Sequence, residues 1–285
     1  MIVSAEGLAI LLSTIEKIVS GHLDISALED LRASRKDIPN QIIEEAFLAT
    51  EELLDSIPET RLGTFIVIAG LDKSGKETQA FNPSALPGVK SILSYLQEKS
   101  FKVLPISLPS YETILGSLVG AYLKARSHEG PRKGPSARIL GNLSPEYAWI
   151  LWSLDRARQN PRVKDWLGRG KEYVVLSKRW TESQLAYQKA LGIGEDRILK
   201  LEGNIVQPDY TFILDIPPEE VVRRAKRASI RPDKYENISF LNKVREGYLD
   251  LYKRQVLGKM FLIDGARSPE EVNREILAKL KEIGI

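Results

Sequence analysis

The residues with the plainest chemistry are Gly70-Leu71-Asp72-Lys73-Ser74-Gly75-Lys76-Glu77-Thr78-Gln79. A glycine, four residues and then Gly75-Lys76 is the spacing of a phosphate-binding loop. In such a loop, backbone amides surround a β-phosphate, the lysine reaches the terminal phosphates, and the following helix offers its positive end. Gly70, Asp72, Lys73, Ser74, Gly75, Lys76, Glu77 and Thr78 are therefore the candidate nucleotide-binding residues. The pattern asks for Ser or Thr after its lysine, to ligate Mg²⁺, and this chain has Glu77 there. A carboxylate oxygen suits magnesium but brings negative charge close to the β-phosphate, so an atypical metal site is expected. Thr78 faces another direction on the helix and is not taken as a substitute.

A loop of this kind needs a strand before it. Thr64-Phe65-Ile66-Val67-Ile68-Ala69 is a continuous β-branched and aromatic run, which predicts a strand covered on both faces. Similar runs lie at Phe101 to Ile106, Glu172 to Leu176, Thr211 to Ile216 and Met260 to Ile263. Between them come helical spacings such as Val89, Ile92, Leu93 and Leu96, and later Phe240, Val244, Tyr248 and Leu251. Strands alternating with helices predict an α/β chain with a mostly parallel sheet. Residues 4 to 57 differ: Leu8, Leu11, Leu12, Ile15, Ile18 and Val19, then Ile43, Phe47, Thr50, Leu53 and Leu54, predict a small helical unit. Gly21 and Asp37-Ile38-Pro39 punctuate it, and Pro58 and Gly63 close it. The Pro- and Gly-rich stretches Asn82 to Gly88 and His128 to Pro135 read as loops.

Composition narrows the chemistry further. The 285 residues include no cysteine, which excludes disulfides, thiol nucleophiles and thiolate metal sites, and only two histidines, His22 and His128. Lys, Arg, carboxylates, hydroxyls and backbone amides must do the work. With 41 Lys and Arg against 38 Asp and Glu the net charge is +3, so nonspecific binding to nucleic acid or membrane is not expected. Cationic function must then be local, and the densest cluster is Arg223, Arg224, Lys226, Arg227, Arg231 and Lys234. No apolar run reaches about 18 residues and Met1 to Val19 lacks the features of a signal peptide, so a cytoplasmic location is expected.

Several segments, taken together in order and spacing, resemble thymidylate kinase, a nucleoside monophosphate kinase family. They are Gly70 to Lys76; Pro109-Ser110-Tyr111-Glu112-Thr113; Leu143-Ser144-Pro145-Glu146 running to Trp152-Ser153-Leu154-Asp155-Arg156; and Lys178-Arg179-Trp180 with Ser183 and Ala186-Tyr187-Gln188. Pro208-Asp209, Leu214 to Glu219, Phe240-Leu241 with Val244-Arg245, and Ile263-Asp264-Gly265 before Arg267 to Val272 complete the set. The resemblance covers residues 63 to 281 and implies a P-loop kinase fold, an α/β architecture with a five-stranded parallel sheet flanked by helices. Residues 1–62 then form an all-helical N-terminal extension, and residues 63–285 a kinase-like domain with a lid near 223–236.

The resemblance also implies ATP with Mg²⁺ as donor, dTMP as acceptor and a homodimer. It places Trp152 on the thymine ring, Arg156 on the base edge, Arg179 on the acceptor phosphate, and Ser183, Tyr187 and Gln188 around the sugar and base. Lys76, Lys73, Asp72, Arg179 and Arg227 would serve the transfer itself. Plainer readings stand beside these: Trp152 as core, Arg156 as a solvated helix charge, residues 179–188 as an ordinary strand-to-helix connection, and the basic cluster as a solvated face.

Three positions depart from the family pattern: Glu77, Lys178 in place of an acidic residue, and Ser107 in place of an arginine that helps hold the acceptor phosphate. Glu77 and Lys178 are expected to pair across the site. Two other functions stay open at this point, a paralogue with weakened catalysis that binds nucleotide or regulates, and a kinase with an altered donor such as polyphosphate.

Overall fold

A computed structural model of the chain describes residues 1–56, 60–123, 134–227 and 237–285. Among them are seven strands: β1 (Ile2–Ser4), β2 (Thr64–Gly70), β3 (Lys102–Ser107), β4 (Arg138–Leu140), β5 (Tyr173–Lys178), β6 (Tyr210–Asp215) and β7 (Lys259–Asp264). Five of these form one sheet in the order β3-β5-β2-β6-β7, every neighbour parallel, as the alternating pattern predicts. β2 is central. It is buried from Phe65 to Gly70, which is why its sequence reads as one apolar run rather than an alternation.

Alternate residues of the strands serve opposite faces. Ile66 and Ile68 of β2, Val174 and Leu176 of β5, Phe212 and Leu214 of β6 and Phe261 and Ile263 of β7 pack with Ile92 and Leu96, and with Val272, Ile276 and Leu280 of the helix Pro269–Glu282. That helix starts on a capping box: Ser268 Oγ accepts from the Glu271 backbone while the Glu271 carboxylate accepts from the Ser268 backbone. Phe65, pointing the other way, meets Trp180 edge to face at 5.1 Å between ring centroids. Trp180 is fully buried, and its indole N–H donates to the Val206 carbonyl at 2.7 Å.

The chain divides into two compact units, and the five-stranded sheet belongs entirely to the one made of Glu59–Ser107, Arg162–Ala190 and Val206–Ile285. The other unit joins Met1–Pro58 to Leu108–Pro161 and Leu191–Ile205. The boundary expected at residue 62 follows chain order, whereas these compact units do not. Helix Asn40–Leu54 packs on helices Ile114–Leu123 and Ile150–Ala157, so the N-terminal helices share a core with a later stretch of chain. Helix Ile114–Leu123 buries Leu115, Leu118, Val119, Tyr122 and Leu123, more than one face of a helix can carry, and so it needs cover on several sides.

The N-terminal extension is not all-helical. Its first residues form β1, which pairs in parallel with β4, Ile2 opposite Arg138 and Ser4 opposite Leu140. Three residues are too few to show a period of two. Of the residues expected on the apolar face of the helices, Leu8, Leu11, Leu12, Ile15, Ile18, Ile43 and Leu53 are buried, while Leu54, at the end of its helix, is exposed.

Candidate active site

At the end of β2 the backbone turns into the phosphate loop. Gly70 has φ 127°, and a Cβ there would lie 2.4 Å from the Leu214 carbonyl of β6, so only glycine allows the turn against the neighbouring strand. Lys73, at φ 60°, holds a left-handed conformation without being glycine. Helix Lys76–Ala80 follows and is only five residues long. Lys76 is buried and folds back, its ammonium donating to the carbonyls of Gly70 (3.1 Å) and Leu71 (2.6 Å). Burial above all, with the positive charge of Arg179 next, pushes the Lys76 ammonium well below its ordinary pKa. Ser74 Oγ is buried in the loop without a hydrogen-bond partner.

β5 ends beside this loop because Lys178 is in register with Ile68, and the Arg179 backbone N–H donates to the Ile68 carbonyl at 3.0 Å. Arg179 is itself left-handed, with φ 69°, and Ser177 Oγ donates to its carbonyl at 2.7 Å. Its guanidinium donates to Asp72 Oδ1 at 2.5 Å and lies over the Tyr187 ring at 5.1 Å. Ser183 Oγ at 3.5 Å and the hydroxyls of Tyr248 and Tyr187 at 3.4 Å surround it. Burial works to raise the Asp72 carboxyl, but Arg179, Lys76 and Lys73 outweigh it and hold the group well below the usual carboxylate range. Burial opposes the charge of Arg179 in turn, and Asp72 reverses this and raises it. The Tyr248 hydroxyl, pushed up to about 12 by burial, stays neutral at physiological pH.

Asp72, Lys73, Lys76, Arg179, Ser183 and Tyr187 are thus gathered at one end of the sheet. The Lys178 ammonium pairs with the Glu77 carboxylate, the contact expected from the two substitutions. Ser107, the third departure, ends β3 in register with Lys178 and is exposed. Gln188 is buried, and its Oε1 has no hydrogen-bond partner.

Within the basic cluster Arg223 pairs with Glu220, and Arg224 is anchored to the phosphate loop. Its guanidinium donates to the carbonyls of Lys73 (3.0 Å) and Gly265 (2.9 Å), and to Glu220 at 2.6 Å. Arg227 is exposed at the end of the helix Pro218–Arg227, and Arg231 and Lys234 lie outside the described residues.

Trp152 and Arg156 sit on helix Ile150–Ala157 in the unit that carries the N-terminal helices. Trp152 meets Tyr122 edge to face at 5.7 Å. Arg156 is buried and ion-paired with Glu202, whose Oε1 also accepts from Ser153 at 2.6 Å. It is therefore not a solvated helix charge. Beside it Asp155 accepts from the Ser110 backbone at 2.8 Å, and burial raises its carboxyl to about 6 despite that bond.

Sequence reasoning missed Tyr248 and Glu202 as members of these clusters, and placed Arg224 in the basic cluster without its partners. For Tyr248 the signal was present, a hydroxyl on an otherwise apolar helical stripe. Glu202 carried none, since it is one charge among many until a fold gives it a partner.

The residues at Glu77 do not fit a protein-held Mg²⁺, because the one carboxylate at the pattern's metal position is engaged by an ammonium. Among the described residues no group of three or more His, Cys, Asp or Glu is arranged to hold an ion. Nor is any described helix long and apolar enough to cross a membrane.

Comparison with known proteins shows the family to which the chain belongs. The thymidylate kinase family profile matches residues 68–276. A probable thymidylate kinase of Thermococcus onnurineus is 31% identical over 215 residues, covering 75% of this chain and 95% of that protein. One of Thermococcus gammatolerans is 30% identical over 222 residues, covering 78% and 97%. Among solved structures, a thymidylate kinase from Candida albicans shares the fold, with a TM-score of 0.55 at 22% identity over 78% of this chain and 92% of that one.

Proposed function

Since the chain belongs to the thymidylate kinase family, we propose that it transfers the γ-phosphoryl group of ATP to dTMP, giving ADP and dTDP. The observation that carries this is the joining of the phosphate loop to Arg179 through Asp72. The loop amides and Lys76 take the donor phosphates, Lys76 exchanging the Gly70 and Leu71 carbonyls for them. Lys73 and Arg227 add positive charge where it develops on the transferring group. Arg179 takes the acceptor phosphate, and Asp72 fixes its guanidinium and keeps it charged. Ser183, Tyr187 and Gln188 close on the nucleoside, and Trp152 and Arg156 recognise the thymine. The family pairs its ATP with Mg²⁺; here any such ion would be held by the nucleotide's own phosphates and water rather than by Glu77. A cytoplasmic homodimer completes the proposal.

A coupled assay with ATP and a panel of nucleoside monophosphates tests it. Turnover selective for dTMP supports the reading. Nucleotide binding without turnover on any acceptor would overturn it in favour of a binding protein, and turnover with polyphosphate alone would replace the donor.

A further inference from the structure

The ion pair between Glu77 and Lys178 occupies the position at which the phosphate-loop pattern places a metal-ligating hydroxyl. A divalent ion on Glu77 would have to displace the ammonium and then sit beside it, two cations in contact. Lys178 is the more enclosed partner, its side chain 22% exposed against 47% for Glu77. It stands at the end of β5, in register with Ile68, two residues before the loop begins. Its charge already acts on Lys76, the residue that takes the terminal phosphates, and so helps depress that ammonium. Around the loop the cations Lys73, Lys76, Lys178, Arg179 and Arg224 outnumber the carboxylates Asp72, Glu77 and Glu220. A half-exposed ion pair is weakly held, and a lysine ammonium on its long stem pivots readily between acceptors.

We infer that Lys178 is the resident counter-ion of this loop: Glu77 holds its ammonium while the loop is empty and yields it to the donor's phosphates, so that ATP binds without a divalent cation. The inference rests on the kinase reading above and deepens it. It concerns binding of the donor alone and adds no step to the transfer.

Calorimetric titration of the full chain with ATP, in EDTA and in excess Mg²⁺, tests it. The expected result is a Kd in EDTA within about threefold of that in Mg²⁺. Lys178→Ala is expected to weaken binding in EDTA by about tenfold or more, leaving the Glu77 charge uncompensated beside the phosphates. Glu77→Gln, nearly isosteric, is expected to tighten binding in EDTA by freeing the ammonium. Opposite directions from the two partners separate this role from a merely structural pair, whose loss would move both the same way. Glu77→Gln also carries the test alone if Lys178→Ala fails to fold. A wild-type loss of about a hundredfold in EDTA, or unchanged EDTA binding in Lys178→Ala, overturns the inference while leaving the kinase reading in place. ATP binding under neither condition overturns both.

Discussion

Arg179 has to be ionised, oriented and available to a ligand, and each demand falls to a different neighbour. Asp72 keeps it charged against the cost of burial, the Tyr187 ring and the hydroxyls of Ser183 and Tyr248 set its plane, and its left-handed backbone turns it toward the phosphate loop. Asp72→Asn keeps an acceptor for one N–H but removes the charge. We expect kcat/KM for dTMP to fall by roughly 10- to 100-fold with little change in melting temperature, since Asp72 is partly exposed. Steady-state kinetics on both substrates checks this; an unchanged kcat/KM would remove Asp72 from the mechanism.

Asp155 gives a prediction in pH. Its carboxyl stands at about 6 in the folded protein against an ordinary 3.8, so the fold binds the proton more tightly than the unfolded chain does. The stability that Asp155 contributes is therefore full below 3.8 and falls as pH rises through about 6. Asp155→Asn should flatten that slope, worth at most about 3 kcal/mol, in denaturant titrations run from about pH 4 to pH 7. Equal slopes in both proteins would refute the assignment. The individual residues of these clusters were readable in the sequence, but most of the partnerships were not. Asp72 and Arg179 lie 107 residues apart, and Arg156 and Glu202 lie 46 apart, so only the folded sheet and helices could show who neutralises whom.

Among the elements, β2 and β5 carry the site. Their parallel register sets Lys178 and Arg179 beside the end of β2, and Gly70 is the point at which β2 can turn without striking β6. Gly70→Ala should cost about 1–3 kcal/mol from backbone strain alone, a fall of roughly 3–10 °C in melting temperature, and should abolish ATP binding. Retained ATP affinity in a folded variant would mean that the loop reshapes freely. The core strands were legible because a strand covered on both faces writes its burial into every residue. The short β1 and β4 were not, because so few residues show no period; the helix after the loop was legible only through the loop motif that precedes it.

In the molecule as a whole, the N-terminal helices are part of a shared core. Ile42, Ile43 and Leu53 of helix Asn40–Leu54 are fully buried. At about 1.5–3 kcal/mol each they contribute on the order of the entire net stability of a domain. Deleting residues 1–56 should therefore leave a chain that binds a hydrophobic dye and melts well below the full protein. A truncated chain that stays monodisperse with an unchanged melting temperature would show that the extension is dispensable. Sequence periodicity disclosed these helices and their apolar faces but not what they cover, because the partner surface comes from residues 108–161, more than fifty positions further along.

The all-parallel sheet also sets out where a spectroscopic reporter can be attached. Its five strands end on one rim, at Gly70, Ser107, Lys178, Asp215 and Asp264, and begin on the other, at Thr64, Lys102, Tyr173, Tyr210 and Lys259. The second rim lies about 20 Å from the first, one strand length away. Lys102 and Lys259 are exposed there, and the chain has no thiol of its own. A cysteine introduced at either position is thus the sole site for maleimide chemistry, and a fluorophore on it can follow nucleotide binding without touching the residues that perform it.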